Sequence, residues 1–149
     1  MVHLEEVNWR NYRQCCKLKI SEEQKEAHSV APNVAILARA YAYKDEGGQA
    51  YIIFHDDEMV GLLMYREYEE PPKCYILDQF MIDENFQGRG YGKEALKLVL
   101  EIMKKQGKYN RIELGYTRGN IGAMKLYESC GFYHSGDDYE DEIGMALDF

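Results

Sequence analysis

The chain has 149 residues, with 18 Lys/Arg against 26 Asp/Glu and a formal net charge of −8. That acidity argues against a nucleic-acid partner, which needs a basic face. No apolar run reaches the roughly 18 residues of a membrane span, and residues 2–7 (VHLEEV) do not read as a signal peptide, so a cytoplasmic protein is expected.

The length suits one domain with a buried core. Residues 1–149 read as that single domain, because no repeat, low-complexity segment or linker divides them. Cys15, Cys16, Cys74 and Cys130 form no C-x-x-C pair, and His3, His28, His55 and His134 are scattered. Neither a metal site nor a disulfide framework is expected.

In chain order, residues 2–7 read as a short strand, and Asn8 as the N-cap of a helix running to 18 that puts Trp9 and Tyr12 in the core. Ser21 followed by Gln24 is a capping-box pattern that opens a second helix. Pro32 and Asn33 start another, to about residue 44, stopped by Gly47-Gly48. Residues 50–55 and 59–68, separated by the acidic turn 56–58, read as an antiparallel hairpin. Glu69-Glu70-Pro71-Pro72 is a loop that no strand continues through.

The apolar run 74–82 (CYILDQFMI) reads as the next strand. After a glycine-rich turn, Ala95, Leu96, Val99, Leu100 and Met103 make one stripe of an amphipathic helix to 106, with Gly107 as its stop. Residues 111–116 form a strand, Asn120 caps a helix through 129, and Gly131 follows as its C′ residue. Strands 132–134 and 143–147 close the chain around the acidic turn 136–142. The order is β-α-α-β-β-β-α-β-α-β-β, an α/β (α+β) domain with a mixed, mostly antiparallel sheet flanked by helices.

The stretch Gln87-Gly88-Arg89-Gly90-Tyr91-Gly92-Lys93 joins strand 74–82 to the amphipathic helix. Its glycines carry no Cβ to hold a ligand off the backbone. A helix start adds free N–H groups and partial positive charge, and Arg89 and Lys93 add full charges. Such a turn is a phosphate cradle. The spacing G-x-G-x-G is not the G-x-G-x-x-G of a dinucleotide site, and Lys93 is followed by Glu94 rather than the Ser or Thr of a Walker loop. Charge follows the same division: residues 1–86 sum to −7, residues 87–125 to +6 and residues 126–149 to −7. A polyanionic cofactor fits the basic block, and a cationic substrate suits the acidic remainder.

Q-x-x-G-x-G after a strand resembles the acetyl-CoA pyrophosphate loop of the GCN5-related N-acetyltransferases (GNAT). The segment Asn120 to Phe132 resembles the same family's N-x-x-A-x-x-x-Y-x-x-x-G-F motif, through Asn120, Ala123, Tyr127, Gly131 and Phe132. Ala123 and Tyr127 stand at i and i+4 on one helical face, although Tyr127 taken alone also reads as a core residue. The resemblance implies the GNAT fold over the whole chain and acetyl-CoA as co-substrate, with no metal. It implies that Phe80, Met81 and Ile82 hold pantetheine like an added strand, that Gln87 to Lys93 meet the pyrophosphate, and that Asn120 and Ala123 contact the cofactor. Tyr127 is then the general acid. Lys97, Arg118 and Lys125 are further basic candidates for the 3′-phosphate.

Within the family, the texture of the chain is most similar to bacterial spermine/spermidine N-acetyltransferases. The expected acceptor is a polyamine, reached by a carboxylate base acting through water. Asp78 is the candidate base or ammonium anchor, because it sits just before the cofactor segment with the parity of Phe80 and Ile82. Glu67 and Glu113, on flanking strands, are secondary candidates for that base, and Glu67 is also a candidate substrate-binding residue. Acidic residues at 67, 69, 70, 137, 138 and 140–142 are candidates for a polycation channel. A protein amine, an aminoglycoside and a non-catalytic acyl-CoA sensor are the alternatives, and a homodimer is common in the family.

Overall fold

The computed structural model describes residues 1–26 and 32–149; His28 lies outside them. Among these described residues, seven strands form one sheet in the order β1-β2-β3-β4-β5-β7-β6. The strands are β1 (Val2–Glu6), β2 (Gln49–His55), β3 (Glu58–Tyr68), β4 (Cys74–Ile82), β5 (Arg111–Thr117), β6 (Tyr133–His134) and β7 (Glu142–Asp148). Every pairing is antiparallel except β4 with β5. The helices are α1 (Tyr12–Cys15), α2 (Glu22–Glu26), α3 (Asn33–Ala42), α4 (Tyr91–Gln106) and α5 (Ile121–Ser129). The mixed, mostly antiparallel sheet is as expected, and among the described residues the first connection carries the three helices read there, one more than the order β-α-α-β counts. Among the described residues, no helix is long and apolar enough to cross a membrane.

Apolar side chains separate onto the two faces of the sheet. On one face Leu63, Leu77, Ile112 and Leu114 pack under the α4 stripe of Ala95, Leu96, Val99 and Met103, with Tyr127 of α5 in the same cluster. Burying one such aliphatic side chain stabilises the fold by about 1.5–3 kcal/mol. On the other face Ile52, Leu62, Met64 and Met81 meet Cys15 and Ile36 of α1 and α3.

The first helix is shorter than its spacing suggests. Asn8 Oδ1 accepts from the Arg10 amide at 2.8 Å and Asn11 Oδ1 from the Asn8 amide at 2.8 Å, so residues 8–11 form a turn. Trp9 is therefore 78% exposed and Tyr12 40% exposed, rather than core residues. The cysteines divide likewise: Cys15 and Cys74 are buried, with burial pushing both thiols up to about 12, while Cys16 is exposed and Cys130 half-buried.

The capping box at Ser21 forms in both directions: the Gln24 amide donates to Ser21 Oγ at 3.2 Å and the Ser21 amide to Gln24 Oε1 at 3.1 Å. Asn120 Oδ1 accepts from the Ala123 amide at 3.1 Å and caps α5. Asn120→Ala removes that acceptor at a cost of about 1 kcal/mol. A melting curve should show Tm lower by about 2–4 °C.

Candidate active site

The parallel pair is where the sheet opens. β4 and β5 stay in register only from Tyr75 with Ile112 to Leu77 with Leu114. Beyond Leu77 the β5-facing edge of β4 has no strand partner among the described residues. The divergence coincides with a β-bulge: Met64 lies opposite Gln79 and Tyr65 opposite Leu77, which leaves Asp78 as the extra residue. A bulge bends its strand and resets side-chain alternation.

A cavity of about 750 Å³ fills the opening. From the α4/α5 face it is lined by Phe80, Ile82, Tyr91, Ala123 and Tyr127, and from the α1/α3 face by Ile20, with Pro32 and Glu142 completing the lining. Gly88 and Gly90 hold φ of 78° and 86°, a left-handed conformation that favours glycine, and a Cβ at either would project into open space. Gly90 is the N-cap of α4, so the first-turn amides of Tyr91, Gly92 and Lys93 have no acceptor within the helix. Residues 88–93 thus offer bare backbone donors to an anion, which fits a pyrophosphate.

Two other residues brace this loop. Gln87 Nε2 donates to the Ile82 carbonyl and to Gln24 Oε1, both at 2.9 Å, tying the loop to β4 and α2. Asp83 is buried, and its carboxylate accepts from the amides of Lys19 (2.8 Å) and Asn85 (2.9 Å). The sequence reading missed Asp83, although an Asp between a strand end and Asn is a turn-forming signal.

Of the residues singled out from the sequence, Phe80, Met81, Ile82, Gln87, Gly88, Gly90, Tyr91, Gly92, Lys93, Asn120, Ala123, Tyr127 and Asp78 line the cavity. The side chain of Met81 packs toward α3 instead. Arg89 is turned away: its guanidinium donates to the Asn85 carbonyl at 3.1 Å and lies over the Phe86 ring.

Tyr127 is 7% exposed. Burial pushes its phenol above the ordinary tyrosine range, so the group stays protonated at neutral pH and beyond pH 10, as a proton donor requires. Among the described residues its hydroxyl has no hydrogen-bond partner, and no buried side-chain oxygen is left unsatisfied without access to solvent.

The carboxylates are arranged differently from the expectation. Asp78 does not share the parity of Phe80 and Ile82, because the bulge turns it to the α3 face. There it accepts from Arg39 Nε at 3.0 Å and Arg66 Nε at 2.8 Å, with its own side chain 7% exposed. Tyr43 lies under both guanidiniums. Glu67 stands outside the cavity and pairs with Lys108 at 2.5 Å. Glu69 contacts Lys108 and Tyr109, and Glu113 contacts Arg111 at 2.9 Å. These acids cluster where β4 begins, whereas the cavity lies where it ends, so residues 67–70 form no channel wall. Lys97, Arg118 and Lys125 are exposed and line no part of the cavity.

A glycine cradle, an unpaired strand edge and a protonated phenol around one cleft can bind a pyrophosphate-linked thioester and protonate its leaving group. The model described as the acetyltransferase (GNAT) family matches residues 5–132, and the chain belongs to that family. The spermine/spermidine N(1)-acetyltransferase of Bacillus subtilis (strain 168) is 36% identical over 100 residues, which make up 63% of this chain and 66% of that protein. N-acetylaspartate synthetase of Homo sapiens is 33% identical over 108 residues, 72% of this chain and 35% of that protein. The chain thus spans just under two thirds of the first relative and about one third of the second. The structure of spermidine N-acetyltransferase from Vibrio cholerae in complex with CoA and spermine aligns with a TM-score of 0.76. That alignment covers 98% of this chain and 94% of that one at 17% identity, a likeness of fold.

Proposed function

We propose that the chain transfers an acetyl group from acetyl-CoA to a primary amine of a cationic small molecule, most specifically a polyamine such as spermidine or spermine. The observation that carries this reading is the cavity at the β4/β5 opening, into which the glycine cradle, the free edge of β4 and Tyr127 all face. Backbone groups of Phe80 to Ile82 pair with the pantetheine amides in strand fashion, and an N–H of this edge meets the acetyl oxygen as charge develops on it. Amine nitrogen attacks the thioester carbon, the C–S bond breaks, and the Tyr127 hydroxyl supplies the proton to the departing thiolate.

The polyamine assignment rests on charge and on the Bacillus relative. Residues 136–142 run to the cavity wall at Glu142 with Asp137, Asp138, Glu140 and Asp141 exposed. None of these four carries an ion pair among the described residues. A rim of uncompensated carboxylates attracts an extended polycation. A basic peptide or an aminoglycoside shares that attraction, and an acyl-CoA sensor would have no use for Tyr127. The test is one mixture of spermidine, spermine, a basic peptide, an aminoglycoside and aspartate, incubated with acetyl-CoA and read by mass spectrometry. Acetylated polyamine is expected; acetyl on another component, or on none, overturns the acceptor assignment.

The cradle separates its two cations. Lys93 lines the cavity, whereas Arg89 is held over Phe86. A hydrogen bond to a charged group is worth about 1.5–3 kcal/mol, so Lys93→Ala should weaken CoA binding about tenfold or more. Arg89→Ala should weaken it far less. Calorimetric titration with CoA at low and high salt measures both.

A further inference from the structure

Asp78, Glu67 and Glu113 all have their carboxylates committed to arginine or lysine. That leaves the proton of the attacking ammonium without a receiver among the residues expected to take it. Glu142 differs. It lines the cavity, and no ion pair or side-chain hydrogen bond to its carboxylate occurs among the described residues.

Register explains why it stands there. β5 and β7 pair Thr117 with Glu142 and Gly115 with Gly144. Gly115 carries no side chain, and the Glu142 carboxylate lies over it: a Cβ at Gly115 would come 3.0 Å from Oε2. The backbone on either side of Glu142 is fixed by the reciprocal bonds between the Tyr139 and Glu142 amides and carbonyls, at 3.0 and 2.8 Å. Gly115 and Thr117 alternate with Leu114 and Tyr116, and the latter two pack in the cluster that holds Tyr127. Glu142 therefore approaches the opening from the face opposite Tyr127.

We infer that Glu142 is the proton acceptor for the attacking amine, a role that rests on the acetyl-transfer reading above. The acceptor's ammonium gives one proton to the Glu142 carboxylate, and the freed nitrogen attacks the thioester carbon. As the C–S bond breaks, the thiolate takes the Tyr127 proton. The second nitrogen proton returns to Tyr127, and Glu142 releases its own to water, so one proton leaves per turnover. Acid and base on opposite faces let the nucleophile arrive from one side of the carbonyl and the thiol depart on the other.

The test compares Glu142→Gln, Glu142→Asp and Glu142→Ala with the native chain, using spermidine, and measures acetyl-CoA affinity and Tm alongside the kinetics. Loss of a proton-transfer group lowers turnover by about 10²-fold or more. Glu142→Gln should show this in kcat, with acetyl-CoA affinity and Tm unchanged. Its rate should then climb with pH as the free-amine fraction grows, about tenfold per unit below the amine pKa near 10. Glu142→Asp should recover part of the rate, and formate should restore part of it to Glu142→Ala. A Glu142→Gln rate and pH profile equal to the native ones would overturn the inference while leaving acetyl transfer intact. A loss confined to KM, with no formate rescue, would reduce Glu142 to an ammonium anchor and overturn it equally. A native chain that acetylates no amine would instead remove the reading on which it rests.

Discussion

Tyr127→Phe is expected to lower kcat by about 10²-fold or more, the contribution of a positioned proton donor, and to leave the fold and the cofactor site almost untouched. The reasons are structural. The ring is buried in the α4/α5 cluster and edges onto Phe132 at a centroid distance of 5.8 Å, contacts that phenylalanine keeps. The hydroxyl gives up no hydrogen bond among the described residues, so its removal leaves no partner unsatisfied. A core tyrosine would behave in the opposite way, with turnover kept and any change appearing in Tm. Steady-state kinetics beside a melting curve and a CoA titration separate the two. Turnover within a few fold of native would end the general-acid role.

Asp78→Asn is expected to act on stability first. Its carboxylate sits between two guanidiniums, and asparagine would leave Arg39 and Arg66 facing each other without a counter-charge. Breaking a buried ion pair from one side costs about 3–5 kcal/mol; Arg39 is 41% exposed, which places the cost toward about 3 kcal/mol. Tm should then fall by about 6–12 °C. Below that Tm, turnover should stay well above the level that losing a base would give. Arg66→Met leaves a neutral Arg39–Asp78 pair and should cost less. If Asp78 were the base, Asp78→Asn would instead abolish turnover at unchanged Tm.

The cofactor half of the chain was legible because glycine and asparagine punctuate it. Gly90, Gly107 and Gly131 all hold positive φ at helix ends, and Asn120 caps α5, so the boundaries follow from local chemistry. The acceptor half depends on contacts distant in sequence. Strict alternation along 74–82 puts Asp78 on the wrong face, because it contains no sign of the bulge, which is set by pairing with β3. Helical spacing puts Trp9 in the core, but the helix it presumes amounts to one turn. Glu142 was one acid among several in 136–142; only its register beside Gly115 distinguishes it. Likewise, Glu67 finds Lys108 across 41 residues, a pairing that no local pattern announces.

The most direct measurement is thiol release from acetyl-CoA by the purified chain, with and without spermidine. Acetyl transfer predicts release that needs the amine, saturates with it and matches N-acetyl product one for one. Tight CoA binding with no amine-dependent release, for spermidine or any other amine offered, would contradict it and leave a thioester-binding fold without the reaction.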